Sequence, residues 1–299
     1  MGEVIDGKAI AARIREEVAG EVRELGHVGL ATVLVGDDAA SETYIRLKHK
    51  AAVEVGIEAR DLRLPADIGE EELLGIVAGL NADEAVDGIL VQLPLPDHID
   101  EGRVIRSVTP AKDVDGFHPV NAGLLYLGTP GHVPATPLGI MELLAVSHVP
   151  LEGARAVVIG RSAIVGKPVA HLLLQANATV TICHTHTRDL ARATLEADVL
   201  VVAAGRPAFV SPDMVKTGAA VVDVGINRTE AGVVGDVDPG VEDVAAYFTP
   251  VPGGVGPMTI ACLLQNAVRC AHIRRRGGSY TSTARGANVP RAPSVDGDS

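Results

Sequence analysis

The sequence has few aromatic residues and no tryptophan, since aromatic side chains make up 2% of its 299 residues. Routine core filling is therefore a weaker explanation for any tyrosine that stands beside a charged residue. Cysteine is also scarce. The three cysteines contain no C-x-x-C pair and are odd in number, which opposes a disulfide framework. We expect a reduced, cytoplasmic protein.

Excess positive charge and long apolar runs are lacking as well. The formal net charge is -12, whereas binding to nucleic acids or anionic membranes needs clustered lysine and arginine. No uninterrupted apolar run reaches the ~20 residues that span a bilayer. The first residues contain no basic segment followed by an apolar one. We expect no nucleic-acid partner and no membrane segment.

Apolar residues are nevertheless abundant enough, at 47%, to bury a core. In the first part of the chain, helical spacing in GKAIAARIREEVAGEVREL alternates with short apolar runs such as LATVLVG and VDGILVQLPLP. A second series of strands, at ARAVVIG, TVTIC, DVLVVAA and GAAVVDVG, follows a Gly- and Pro-rich segment near 120–140. These patterns predict an α/β protein with two domains, each a mostly parallel sheet with flanking helices, the C-terminal one Rossmann-like.

One lysine stands on an apolar helix face. The stretch SETYIRLKHK predicts a helix with Ser41 as its N-cap, and steps of three and four from Tyr44 lead to Lys48 and on to Val55. A lysine there can lay its stem on the core and keep its ammonium in water. It can also be a functional amine, because desolvation lowers a lysine pKa that is otherwise about 10.4.

A glycine turn opens the second series. In VVIGRSAIVGKPVA, Gly160 and Gly166 lie between a predicted strand and a predicted helix, and Pro168 suits the first helical turn. Glycine lets a phosphate approach the backbone, and the free N–H groups of the helix start point at it. The alternative is a tight turn without a ligand.

The next strand ends in TICHTHTR, without the carboxylate that accepts hydrogen bonds from the ribose of NAD. Donors and positive charge stand there and in the glycine turn instead, at Arg161, His184, Thr185, His186 and Arg188. They suit a ribose 2′-phosphate, so we infer NADP rather than NAD. The remaining histidines have no metal-ligand spacing, and we expect no metal.

Five motifs in order carry a family resemblance: VGDDAASETYIRLKHKAAVEVGI, DGILVQLPLP, KDVDGFHPVNAG, GRSAIVGKP and PVPGGVGPMTIACLL. Over roughly residues 3–273, the chain resembles the bifunctional methylenetetrahydrofolate dehydrogenase/methenyltetrahydrofolate cyclohydrolase family. The resemblance implies NADP-dependent oxidation of 5,10-methylenetetrahydrofolate and hydrolysis of the methenyl product to 10-formyltetrahydrofolate. It also implies a homodimer. The alternatives are a monofunctional dehydrogenase of the same family and a catalytically silent NADP-binding module.

The resemblance also implies roles for individual residues. Lys48 matches the catalytic lysine, Gln92 the glutamine that orients it, Tyr44 the tyrosine on the folate ring and Asp115 the acid that binds the pterin. Taken alone, Tyr44 could be core, Gln92 a satisfied buried amide, and Asp113 and Asp115 turn formers.

Further matches concern the cofactor and the folate cover. The implied cofactor contacts are Gly160, Arg161, Ser162, Thr185 and Ile226, and the implied folate cover is Gly253, Gly254 and Pro257. The chain has His186 where the family usually has lysine, which replaces a fixed charge by a titrating one.

The domain boundaries complete the sequence-based picture. We expect a folate-binding catalytic domain at 1–138, completed by a returning helix at 258–273, and an NADP-binding domain at 139–257. The basic, Ser-, Gly- and Pro-rich tail at 274–299 is expected to be disordered.

Overall fold

The computed structural model describes residues 2–230 and 232–275 of the chain. The described residues form two compact units. One, here called the three-stranded unit, contains residues 12–135 and 260–275, and the other, the six-stranded unit, contains residues 2–11 and 136–259. The expected tail falls almost entirely at 276–299, outside the described residues.

The helices of the described residues are α1 (Gly7–Leu25), α2 (Ala39–Glu54), α3 (Glu70–Ala82), α4 (Glu101–Ser107), α5 (Pro119–Tyr126), α6 (Ala135–Val146), α7 (Gly166–Gln175), α8 (Leu190–Leu195) and α9 (Val255–Arg275). The strands are β1 (Glu3–Val4), β2 (Gly29–Val35), β3 (Glu58–Leu64), β4 (Gly88–Val91), β5 (Arg155–Ile159), β6 (Thr179–Cys183), β7 (Val199–Val202), β8 (Ala220–Asp223), β9 (Asn227–Thr229), β10 (Gly232–Val234) and β11 (Tyr247–Phe248).

The three-stranded unit contains a parallel sheet with the strand order β3-β2-β4. Every residue of β2 is buried because the strand lies between two others and is covered on both faces, which explains its uninterrupted apolar sequence. One core of this unit joins Val33 and Ile89 of the sheet to Leu73 and Val77 of α3. Residues that follow the carboxyl ends of β2 and β4 are therefore held by a sheet that is packed against α3.

The six-stranded unit has the strand order β1-β11-β8-β7-β5-β6, and all neighbouring strands are parallel. The order reverses between β5 and β7, because β6 lies on one side of β5 and the later strands lie on the other. Parallel sheets of this kind bind ligands outside their carboxyl ends, at the reversal. The predicted α/β class and the Rossmann-like second domain are confirmed.

The predicted start of one helix was wrong. Ser41 lies inside α2, which begins at Ala39, and is not the N-cap. The Gly- and Pro-rich segment near 120–140 contains most of α5 and the start of α6. Helix α6 contains only two polar side chains, Thr136 and Glu142, and Ile140, Leu143 and Leu144 are buried, so it has no polar face to produce a period.

Candidate active site

Helix α2 places Lys48 on its inner face. Ile45 and Ala52 of this face are buried, whereas Leu47 and Val53 point outward and are 46% and 56% exposed. Lys48 itself is half-buried. Tyr44, one turn earlier on the same face, is also half-buried. The inward position that the spacing predicts for the lysine is therefore observed.

Gln92 contacts the lysine from the carboxyl end of β4. Lys48 Nζ donates a hydrogen bond to Gln92 Oε1 at 3.1 Å. The other end of the amide donates to the Leu93 carbonyl oxygen at 2.8 Å. Because its NH₂ group has a carbonyl partner, the amide presents its oxygen to the amine, and this contact adds no charge beside it.

The charge state of Lys48 depends on two opposing effects. Burial lowers the pKa of Lys48 below its usual value, and the carboxylate of Asp115 opposes this shift. Burial raises the pKa of Asp115 to about 6, although the charge of Lys48 acts to lower it. The interaction between Asp115 and Lys48 was not predicted from the sequence, because the two residues are far apart along the chain. Burial is the larger effect on the lysine, so the net shift of its pKa is downward.

Asp113 and Asp115 have different surroundings. Asp113 is buried, and its carboxylate accepts hydrogen bonds from the backbone N–H of Gly116 at 3.0 Å and of His118 at 2.7 Å. The side-chain amide of Asn121 donates to it at 2.8 Å. Asp113 therefore forms the turn, while the half-buried Asp115 interacts electrostatically with Lys48.

Three buried polar residues that the sequence reasoning missed support this turn. Asn266 of α9 donates to the carbonyl oxygens of Val114 at 2.8 Å and Val133 at 2.9 Å. The Asn121 side-chain oxygen accepts from the backbone N–H of His132, and the His132 ring bonds the Ala111 carbonyl oxygen at 3.1 Å. The only sequence signal for them was a polar residue within an apolar segment. Together they fix the backbone that carries Asp115.

The glycine turn of the six-stranded unit requires both of its glycines. Gly160 has φ 120°, and a Cβ there would lie 2.3 Å from the Ala203 carbonyl oxygen. A Cβ on Gly166, the first residue of α7, would lie 2.3 Å from the Gly160 carbonyl oxygen. The Ser162 hydroxyl accepts from the N–H of Val165 at 3.1 Å. This close packing is what a dinucleotide turn requires.

The loop after β6 has a defined shape. The Thr187 hydroxyl accepts from the His184 N–H at 2.8 Å, and His184 Nδ1 accepts from the His186 N–H at 3.1 Å. Thr185 and His186 are exposed, as are Arg161 and Arg188. Exposed donors and cations thus follow β5 and β6, on neighbouring strands of the sheet.

Two buried aspartates that the sequence reasoning also missed organise the loops after β7 and β8. Asp223 accepts from the N–H groups of Gly225 at 2.9 Å, Asp236 at 2.9 Å and Val237 at 3.0 Å. Burial raises the pKa of Asp223 to about 6, and the charge of Asp236 contributes to the rise. An acid next to a glycine at the end of an apolar run, as in DVG and VGD, was the available signal.

A cavity of about 140 Å³ lies at the carboxyl end of β8. Its lining includes Ile226, Lys8, Gly253, Gly254 and Pro257. The structure thus brings the expected cofactor contact together with the expected folate cover. A Cβ on Gly254 would lie 2.8 Å from the Pro250 carbonyl oxygen, which shows that the chain is tightly packed here.

Two kinds of feature are absent from the described part of the chain. Residues 2–230 and 232–275 contain no group of three or more His, Cys, Asp or Glu side chains that could hold a metal ion. None of their helices is both long and apolar enough to cross a membrane.

Both parts of the chain match the domains of one known protein family. Residues 5–115 match the profile of the tetrahydrofolate dehydrogenase/cyclohydrolase catalytic domain, and residues 134–275 match that of its NAD(P)-binding domain. The bifunctional protein FolD of Halothermothrix orenii is 56% identical over 276 residues, which cover 90% of this chain and 98% of the relative.

Solved structures agree. FolD methylenetetrahydrofolate dehydrogenase/cyclohydrolase of Campylobacter jejuni is 50% identical with a TM-score of 0.90, and the match covers 92% of this chain and 100% of that one. The Trypanosoma brucei enzyme, solved with NADP and an inhibitor, is 42% identical with a TM-score of 0.88, covering 92% and 99%. The chain therefore belongs to the tetrahydrofolate dehydrogenase/cyclohydrolase family.

Proposed function

We propose that this chain, an NADP-dependent methylenetetrahydrofolate dehydrogenase and methenyltetrahydrofolate cyclohydrolase, uses Lys48 as the proton carrier of its hydrolytic step. Bound NADP supplies a hydride acceptor for the one-carbon bridge of 5,10-methylenetetrahydrofolate. That oxidation needs alignment but no side-chain base. Hydrolysis of the methenyl cation to 10-formyltetrahydrofolate is different, because the attacking water must lose a proton and a ring nitrogen must gain one.

The observation that carries the proposal is a half-buried amine held by a neutral amide. Only the uncharged amine can accept a proton, and burial lowers the pKa of Lys48 toward that form. The 3.1 Å hydrogen bond to Gln92 positions Nζ and adds no negative charge. A methenyl cation beside Lys48 would disfavour the ammonium further, since like charges repel.

Asp115 has a second part in this proposal. Its carboxylate binds the amino and ring N–H groups of the pterin. These donors would share the negative charge that otherwise raises the pKa of Lys48. Substrate binding would therefore weaken the attraction that stabilises Lys48 as an ammonium, and the pKa of Lys48 would fall further. Tyr44, one helical turn before Lys48, packs on the folate ring.

The turn between β5 and α7 fits NADP, because side chains are excluded at Gly160 and Gly166 and the N–H groups at the start of α7 attract phosphate. Arg161, Ser162 and Thr185 would hold the cofactor on this side, and Ile226 would contact it beside the small cavity. In the same cavity Gly253, Gly254 and Pro257 would cover the folate. None of these residues needs to exchange a proton.

The experiment that tests the proton-carrier role is Lys48→Met. We expect loss of methenyltetrahydrofolate hydrolysis, with measurable NADP reduction from methylenetetrahydrofolate retained, because only hydrolysis needs the base. Lys50→Met is the matched control. Lys50 lies on the same helix, its side chain is 73% exposed, and its Nζ forms a surface ion pair with Glu54 at 3.8 Å. Equal loss of both reactions in Lys48→Met would contradict the role.

We also propose that the protein is a cytoplasmic homodimer. All three cysteines are buried and none of them forms a disulfide, as is usual for proteins of a reducing compartment. The dimer is the assembly that the family resemblance implied. Light scattering coupled to gel filtration measures the mass, and a monomer of 30.9 kDa would contradict the dimer.

A further inference from the structure

Asp236 is fully buried and accepts hydrogen bonds from two separate loops. Its Oδ2 accepts from the backbone N–H groups of Ala204 at 2.6 Å and Gly205 at 2.8 Å. Its Oδ1 accepts from the Arg206 N–H at 2.9 Å and from the Asn227 side-chain amide at 2.8 Å. Burial of a carboxylate is costly unless its oxygens have such partners, so both loops are held by one side chain.

The first loop follows β7, the strand next to β5. Three successive backbone N–H groups that converge on one point form an anion site, and here the anion is the chain's own Asp236 carboxylate. The loop begins at Ala203, whose carbonyl oxygen lies 2.3 Å from the position that a Cβ of Gly160 would take. A shift of this loop would therefore change the packing of the glycine turn.

The second loop follows β8 and contains Ile226. The residue before Ile226 is bound by Asp223, through the Gly225 N–H, and the residue after it is bound by Asp236, through the Asn227 amide. A Cβ on Gly225 would lie 2.3 Å from Asp236 Oδ1, so the backbone there is pressed against the carboxylate. Ile226 is thus fixed from both sides while its own side chain is 46% exposed.

We propose that Asp236 is a positioning residue for hydride transfer, which holds the loops at 203–206 and 225–227 in the arrangement that binds NADP. The inference rests on the proposed function in one respect, namely that Ile226 and Gly160 contact NADP. Asp236 lies behind both loops and acts through them. It takes no part in the proton transfer of hydrolysis, because Lys48 and Gln92 are in the other unit.

The test is Asp236→Asn, which keeps the size of the side chain but replaces an acceptor oxygen by a donor NH₂ group that faces N–H donors. We expect kcat/KM for NADP to fall by about 10- to 100-fold, because small misplacements of binding groups have effects of that order. The dissociation constant of NADP, measured by calorimetry, should rise with it. NADP-independent hydrolysis of methenyltetrahydrofolate should stay within about twofold.

Asp238→Asn is the control for loss of a nearby carboxylate. Asp238 Oδ1 accepts from the Gly240 N–H at 2.8 Å and caps a short 3₁₀ helix, so its substitution should lower stability without changing NADP affinity. If Asp236→Asn does not fold, Asn227→Ala removes the side-chain hydrogen bond from the second loop to Asp236 and should raise the KM for NADP several-fold.

The outcomes separate the two proposals. Unchanged NADP affinity in folded Asp236→Asn, or in Asn227→Ala where Asp236→Asn does not fold, overturns the inference. Parallel loss of both reactions would also overturn it, since it would indicate general structural damage. If the wild-type protein lacks hydrolysis or NADP reduction, the proposed function itself is wrong. Selective loss of NADP binding in the variant supports the inference.

Discussion

A single carboxylate changes how the lysine at the site should be understood. The charge of Asp115 raises the pKa of Lys48, while burial lowers it more strongly. The sequence alone suggested a base in an apolar pocket, held only by a neutral glutamine. If Lys48 is the base, as we propose, its pKa depends on what Asp115 binds. Substrate and proton carrier would then be coupled through that side chain.

This coupling predicts a pH dependence. The pKa of Asp115 is raised to about 6, so the group takes up a proton as the pH falls through that value. It then loses its capacity to accept two pterin N–H bonds. We expect kcat/KM for the folate substrate to decline below about pH 6 in both reactions, measured at saturating NADP for the oxidation. A profile that stays flat from pH 5 to 7 would contradict this assignment.

His132 predicts a second pH effect, on stability. Burial lowers the pKa of His132 to about 3 from an ordinary 6.5. Between these two pH values the unfolded chain binds a proton that the folded chain excludes. The contribution of neutral His132 to the free energy of unfolding is therefore fully present above pH 6.5 and is lost as the pH falls toward 3. The full loss is at most about 5 kcal/mol. Urea unfolding of the wild type and His132→Gln from pH 7 to 4 measures it.

The variant should be less stable at pH 7 but should lose less stability on acidification than the wild type. His98→Gln is the control, because the His98 ring also bonds a carbonyl oxygen, that of Ile68 at 3.0 Å, but is exposed. Its pH dependence should match that of the wild type. Parallel curves for wild type and His132→Gln would refute the assignment to His132.

At the scale of elements, the helices and strands that could be predicted are those whose apolar residues follow a regular pattern. The continuous apolar run of β2 and the helical spacing of α1 identified both correctly. Helix α6 has no polar face, and β1 and β11 have two residues each, too few for any period. Short strands of this kind form only because a neighbouring strand is already present, which is information that a local pattern lacks.

The same distinction applies to the site. Family resemblance and spacing identified Lys48, Gln92 and the glycine turn, whose roles remain predictions. Spacing alone could not separate Asp113 from Asp115, because both stand in one short turn. The family resemblance favoured Asp115, and hydrogen bonding shows that Asp113 forms the turn. Asp236 was missed because its partners, at 204–206 and at Asn227, are distant along the chain or belong to the backbone.

The turn between β5 and α7 gives an element-scale prediction. In Gly166→Ala, the new methyl group would meet the Gly160 carbonyl oxygen at 2.3 Å, so the turn must open. We expect NADP-dependent oxidation to fall about 100-fold, with hydrolysis largely retained. Gly79→Ala in α3 is the control, since nothing lies within 4 Å of its Cβ position and alanine favours a helix. Normal NADP affinity in Gly166→Ala would show that the turn does not bind it.

At the scale of the whole molecule, cofactor binding should be visible as stability. A ligand that binds only the folded state stabilises it by about 2.7 kcal/mol at one hundred times its dissociation constant. We therefore expect NADP to raise the melting temperature of the wild type by several degrees. The Gly166→Ala protein should show no such rise. An equal shift in both proteins would place the NADP site away from the turn.

The two units alternate along the chain, since the six-stranded unit takes residues 2–11 and 136–259 and the three-stranded unit takes residues 12–135 and 260–275. Helices α1 and α9 each begin in one unit and end in the other. During synthesis on the ribosome, the six-stranded unit is incomplete until residue 259 has been added, and the three-stranded unit is incomplete until the rest of α9 has been added. A premature stop codon ahead of α9 would therefore leave both units without residues that they need, and the order of translation makes folding a late event for this protein.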